Sequence, residues 1–185
     1  MIKFSILANQ IKDHINEINL TSRDIGDDDK WNLLCVSMDT LEDTIEGLKY
    51  YELNGFGKDD SSKYIHLHGV LQLIFIQQNA IKGLFSIFNG KNFHKSNFPT
   101  WSEIRDLRHK VTGHPTQKDC GNKIKRIYLS RISIEDDGFD LIIWNKNTGK
   151  DDHVHIDFKS IYDEYKNEAI DILKKIHQKQ LINWQ

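Results

Sequence analysis

The stretch from Ser61 to Phe88 constrains the fold more than any other part of the chain. It contains no proline, and it places Tyr64, Leu67, Leu71, Ile74, Ile81, Leu84, Phe85 and Phe88 at helical spacing. Ile74, Phe75 and Ile76 are consecutive, so the helix is apolar on more than one face. A helix of that kind sits at the centre of a bundle or at an oligomer interface. The pattern predicts a helix over 62–89, capped by Ser61 or Ser62 and ended by Asn89-Gly90. Gln77, Gln78 and Asn79 interrupt its apolar character without breaking it. They are either a polar stripe facing solvent or groups paired inside an interface.

The neighbouring segments supply partners for such a helix. Leu7, Ile11, Ile15 and Ile18 predict an amphipathic helix over 3–20. Thr21 to Lys30 reads as an acidic loop leading into an N-cap. Trp31, Leu34, Met38, Leu41, Ile45 and Leu48 mark one face of a helix over 28–54, stopped by Asn54-Gly55-Phe56-Gly57. Thr100 and Glu103 have capping-box spacing for a helix over 100–112, with Gly113 and Pro115 ending it.

Beyond Cys120 the pattern becomes β-rich. Ile127, Leu129, Ile132 and Ile134 form one run, and Asp136-Asp137-Gly138 is a hairpin signal. Phe139, Leu141, Ile143 and Trp144 lie in a second strand, and Asn147-Thr148-Gly149 marks another turn. His153, His155 and Asp157 alternate with Val154, Ile156 and Phe158 along a third. A last helix over 159–181 uses Ile161, Tyr165, Ala169, Ile172 and Ile176. The expected fold is mainly α: one domain over 1–185, a helical bundle with a small antiparallel three-stranded insertion, over 123–157, before the last helix. The length suits one domain, and two prolines suit long helices.

A net charge of −2 gives no global positive field for long nucleic acid. Local charge differs. From Glu103 to Arg131 there are eight lysines and arginines against three acidic residues, and from Ile132 to Asp157 seven acidic against two basic. That asymmetry is either a phosphate-facing edge or a solvated salt-bridging surface. Cys35 and Cys120 make no disulfide scaffold and read as small buried apolar residues. The N-terminus lacks the apolar core of a signal peptide, and Val70–Ile76 is too short to span a bilayer, so the expected compartment is cytoplasmic with no membrane partner.

The segment Arg105-Asp106-Leu107-Arg108-His109-Lys110-Val111-Thr112-Gly113-His114 carries the chemistry. It resembles the signature of the HEPN family: an arginine, a polar residue, and a histidine after four to six intervening positions. Arg108, His109 and His114 fill those places, with five residues between Arg108 and His114. The resemblance covers roughly 28–116 and the final helix, and leaves the β region outside it.

The resemblance implies a metal-independent endoribonuclease that works as a homodimer in a toxin, defence or stress setting, with no cofactor and with a protein antitoxin or regulator as a possible partner. Arg108 would steady the phosphate, His114 would transfer protons, and His109 would orient or support them. Arg105 and Lys110 would add substrate contacts. Some HEPN toxins carry a tyrosine two residues after the histidine, where a partner enzyme modifies it. Thr116 stands there in this chain, which gives that mode of control no support.

The same residues also suit a bland role. Arg108, His109 and Lys110 sit where cations favour the carbonyl end of a helix, and His114 could simply close it. The rival expectation is a non-catalytic HEPN-like protein that binds a partner protein, a nucleotide or RNA. No metal site is expected. His66 and His68 diverge on a helix, and His153 and His155 share a strand face but find only Asp151 or Asp157 as further ligands. Asn145 to Asp151 is a hairpin turn rather than a calcium loop, because Ile156 stands where the bidentate glutamate belongs. Trp31, Trp101, Trp144 and Trp184 read as packing residues.

Overall fold

A computed structural model describes residues 1–90, 93–113, 118–120 and 123–183. The elements in chain order are α1 (Ile2–Glu17), α2 (Ser22–Ile25), α3 (Asp28–Asn54), α4 (Asp60–Phe88), α5 (Pro99–Arg108), β1 (Lys118–Cys120), β2 (Lys123–Leu129), β3 (Gly138–Asn145), β4 (Lys150–Asp157) and α6 (Phe158–Asn183). A π-helical turn, His109–Gly113, continues α5. The fold is mainly α, with an antiparallel sheet inserted before the last helix.

The apolar helix α4 is the central element. It packs against α3, α5 and α6, and α6 in turn packs against α1. Leu67, Leu71, Ile74, Ile81 and Leu84 are all buried along α4, opposite Leu34, Leu41 and Leu48 of α3 and Ile172, Leu173 and Ile176 of α6. By length and composition α4 could cross a membrane, but half of its most apolar window is covered by the rest of the bundle. The qualifying helix, Asp60–Phe88, is much longer than the apolar stretch Val70–Ile76.

Gln77 and Gln78 of α4 are fully buried, and their partners lie within the chain. Gln77 Nε2 donates to Thr44 Oγ1 at 3.3 Å, and its Oε1 accepts from the Tyr165 hydroxyl at 2.9 Å. Burial, first of all, holds the Tyr165 hydroxyl well above the usual phenol range. Satisfied buried amides of this kind fix the register of α3, α4 and α6 against one another.

Helix starts show where local signals sufficed. Asp27 caps α3 by accepting from Lys30 N at 2.7 Å, and Gly55, at φ +63°, ends it. The cap of α4 is Asp59, whose Oδ1 accepts from Ser61 N and Ser62 N at 3.0 Å each. Neither serine is the cap itself. The first helix stops at Glu17, before the expected 20, and the acidic loop contains the short α2.

The sheet has four strands in the order β1-β2-β3-β4, all antiparallel, one more than expected. Ile132 and Ile134 are not in a strand. A 3-10 turn at Arg131–Ser133 takes their place, leaving Ile132 exposed and Ile134 buried. The link from β2 to β3 is therefore longer than the hairpin suggested by Asp136-Asp137-Gly138. The β3–β4 link is a tight turn: Asn145 O accepts from Gly149 N at 2.9 Å, and Gly149 has φ +63°. Phe56 N donates to Asp136 Oδ1 at 3.2 Å, Lys159 N donates to Asp137 O at 2.9 Å, and Lys63 pairs with Glu135 at 2.8 Å. These bonds dock the β2–β3 link onto the α3–α4 corner.

Glu52, near the C-terminus of α3, gathers two cations and a hydroxyl. Its carboxylate accepts from Lys166 Nζ at 2.8 Å, the Tyr162 hydroxyl at 3.2 Å and the Met1 amine at 2.7 Å. Burial pushes the carboxyl up, but the hydrogen bonds from Lys166 and the amine push it further down, so the net shift is below the usual range. A carboxyl lowered by folding stabilises the fold above its unfolded pKa, near 4.3, and that contribution disappears as pH falls through the lowered value. Melting curves from pH 7 to pH 3 should therefore show a steeper acid loss for the wild type than for Glu52→Gln. Parallel curves would remove Glu52 from the pH dependence.

Candidate functional site

The helix that carries Arg105 and Arg108 is pinned at its N-terminus by another part of the chain. Pro99 opens α5, and its free N–H groups are met from α6. Thr100 N and Trp101 N donate to the two oxygens of Glu168 at 3.0 and 2.7 Å. The expected capping box between Thr100 and Glu103 does not form, because a carboxylate from α6 occupies that role. Charge-assisted bonds to a helix N-terminus are strong. Glu168→Ala should lower stability by about 1–2 kcal/mol in urea denaturation. An unchanged midpoint would show that water replaces the carboxylate without cost.

Trp101 seats α5 in the core. It is buried, with ring centroids 5.1 Å from Phe93 and 5.9 Å from Tyr165. Its carbonyl accepts from the buried Gln78 Nε2 at 2.9 Å. Leu107 and Ile104 are buried as well, so the opposite side of α5 directs Arg105 and Arg108 toward the surface of α4. At the other end Thr112 Oγ1 donates to Arg108 O at 2.9 Å across the π-helical turn. π turns inside helices are frequent at functional positions.

Both arginines settle on one aromatic ring. The guanidinium carbon of Arg105 lies 4.3 Å from the Phe75 centroid, and that of Arg108 lies 4.6 Å from it. Gln72 Oε1 accepts from Arg108 Nε at 3.3 Å and Nη2 at 3.0 Å. Arg105 Nη1 donates to Asn79 Oδ1 at 3.0 Å and, more weakly, to Gln78 Oε1 at 3.4 Å. Burial lowers the Arg105 pKa, and the neighbouring positive charge of Arg108 lowers it further. Among the described residues, neither guanidinium has a carboxylate partner.

His109 is exposed beside this cluster, its ring 6.3 Å from Phe75. Its Nδ1 lies 3.4 Å from Arg108 Nη1. Because a guanidinium only donates, Nδ1 is the acceptor in that contact. The structure therefore brings together Arg105, Arg108 and His109. It places Lys110 half-buried on the π turn, with no hydrogen bond or ion pair to the cluster. His114 lies outside the described residues, as does Thr116.

Sequence reasoning missed Gln72 and Phe75. They and Asn79 recur three and four residues apart along α4, which is a helical stripe of amides around one aromatic ring. That stripe was a readable signal, although nothing local says which helix covers it. The histidines of β4 behave as solvated residues. His155 Nδ1 is 2.8 Å from Asp140 Oδ1, and among the described residues no three potential ligands converge on one point. Trp144 is half-buried, with Arg126 4.9 Å over its ring.

No protein-family model matches the chain, and neither a curated protein nor a solved structure matches it.

Proposed function

We propose that this chain is a metal-independent endoribonuclease of the HEPN kind, acting as a homodimer in a toxin, defence or stress role. The observation that carries the reading is the pair of arginines on Phe75, held by neutral amides and left without a carboxylate. Such a pair is suited to phosphate oxygens, because each guanidinium offers parallel N–H donors matched to them.

Cleavage without a metal uses the sugar itself. The 2′-oxygen attacks the adjacent phosphorus and loses its proton to a base, while an acid protonates the leaving 5′-oxygen. A 2′,3′-cyclic phosphate and a 5′-hydroxyl result. Histidine titrates near neutral pH and serves in either role. We assign proton transfer to His114 and phosphate stabilisation to Arg108. His109, hydrogen-bonded to Arg108, acts as a positioning residue. One chain supplies one such set, and a two-fold dimer would bring two sets to a shared cleft.

Gel assays with structured and unstructured RNA in the presence of a chelator test this proposal. The wild type should cleave, and His114→Ala and Arg108→Ala should not. Equal cleavage by all three would overturn the site assignment. Binding of RNA without cleavage would favour the non-catalytic rival.

A further inference from the structure

Several lysines elsewhere on this protein are matched to acids. Lys12 pairs with Glu42, Lys63 with Glu135, and Lys166 with both Glu52 and Asp163. The arginine pair on Phe75 is met differently. Among the described residues, its acceptors are the amide oxygens of Gln72, Gln78 and Asn79 and one ring nitrogen of His109, none of them a carboxylate. Two whole positive charges therefore share one ring. The carbonyl end of a helix contributes only about half a negative charge. Among the described residues, no carboxylate meets the remaining charge.

The hydrogen bonding leaves donors for that purpose. Gln72 takes Nε and Nη2 of Arg108 on a single oxygen and so fixes the plane of the guanidinium. Asn79 and Gln78 hold Arg105 through Nη1 alone. Among the described residues, Arg105 Nε and Nη2 have no acceptor, and Arg108 Nη1 has only the long contact to His109. Arg105 and Arg108 are half-buried where α5 crosses α4, and His109 beside them is exposed.

We propose that Arg105, Arg108 and Phe75 form one receptor for a phosphorus group that carries two negative charges. A phosphodiester, with one charge, leaves the pair undercompensated. A phosphate monoester, or the pentavalent centre that forms when a 2′-oxygen attacks a phosphodiester, supplies the second charge. The catalytic consequence rests on the ribonuclease reading: the pair would favour the transition state over the bound strand, and Arg105 would act on turnover rather than only on binding. The charge preference does not depend on that reading.

Adenosine 5′-monophosphate and its methyl phosphodiester provide matched probes, because they differ in one charge at the phosphate. In calorimetric titrations at pH 7.5 and low salt, the wild type should bind the monophosphate roughly tenfold or more tightly than the methyl ester. Arg105→Gln and Phe75→Leu should each reduce that ratio to nearly one, while His153→Ala, exposed on β4, should keep it. Equal affinity of the wild type for the two probes overturns the proposal. So does the absence of monophosphate binding at millimolar concentration, or an unchanged ratio in Arg105→Gln. The decisive comparison needs only the wild type, so a poorly folded variant cannot obscure it. A protein that prefers the monophosphate yet leaves RNA intact would retain the dianion receptor and discard the nuclease.

Discussion

Arg108→Ala should lower the rate of RNA cleavage by about a hundred- to a thousand-fold, the range seen when one donor to a developing oxyanion is removed. The geometry explains why so much should depend on one side chain. Arg108 is held by Phe75 below the guanidinium carbon and by Gln72 across two N–H groups, so its remaining donor is fixed before any substrate arrives. Preorganised charge of this kind acts without further reorganisation during the reaction. Arg108→Lys should recover little of the rate, because an ammonium keeps the charge but loses the forked contact. The fold should survive both changes. Arg108 is half-buried, and losing its ring contact and its bonds to Gln72 should cost only about 1–2 kcal/mol. Single-turnover cleavage at saturating enzyme, paired with a thermal melt, separates the two effects. A rate loss matched by an equal loss of folded protein would mean that Arg108 is structural.

The largest effect on stability is expected at Trp101. Trp101→Ala should destabilise the protein by about 3–5 kcal/mol in urea denaturation. Trp101 is buried at the junction of α5 with α4 and α6, beside Phe93 and Tyr165. Removing the indole leaves a cavity that these rings cannot close without moving α5. Domains of this size are stable by only about 5–15 kcal/mol, so the loss is a large share of the total. Trp101→Phe retains most of the apolar contact and should cost less than half as much. Because α5 also carries Arg105 and Arg108, the alanine variant should lose phosphate affinity along with stability. A midpoint within 0.5 M urea of the wild type would show that α5 is seated by something other than Trp101.

The elements legible in the chain were those whose signals are local. α3 begins and ends where Asp27 and Gly55 suggested, because a cap and a left-handed stop act within a few residues. The centrality of α4 followed from its apolar breadth. Two features depended on distant residues and could not be read. The N-terminus of α5 is capped by Glu168, 67 residues beyond Trp101 in the chain. The amides of α4 turned inward because Thr44, Tyr165 and Trp101 offered partners there. The fourth strand, β1, is local to β2, but its three residues are too few to show an alternating pattern. The candidate site divides in the same way. Arg105, Arg108 and His109 announced themselves by residue type and spacing. Gln72 and Phe75 became part of the site only when α5 was laid across α4.

Replacing one ribose by deoxyribose tests the central claim most directly. The protein should cut an RNA oligonucleotide in the presence of a chelator and leave a 2′,3′-cyclic phosphate. A single 2′-deoxy substitution on the 5′ side of the cut should abolish cleavage at that bond. Intact RNA under these conditions, or equal cutting of the deoxy-substituted bond, would contradict the account.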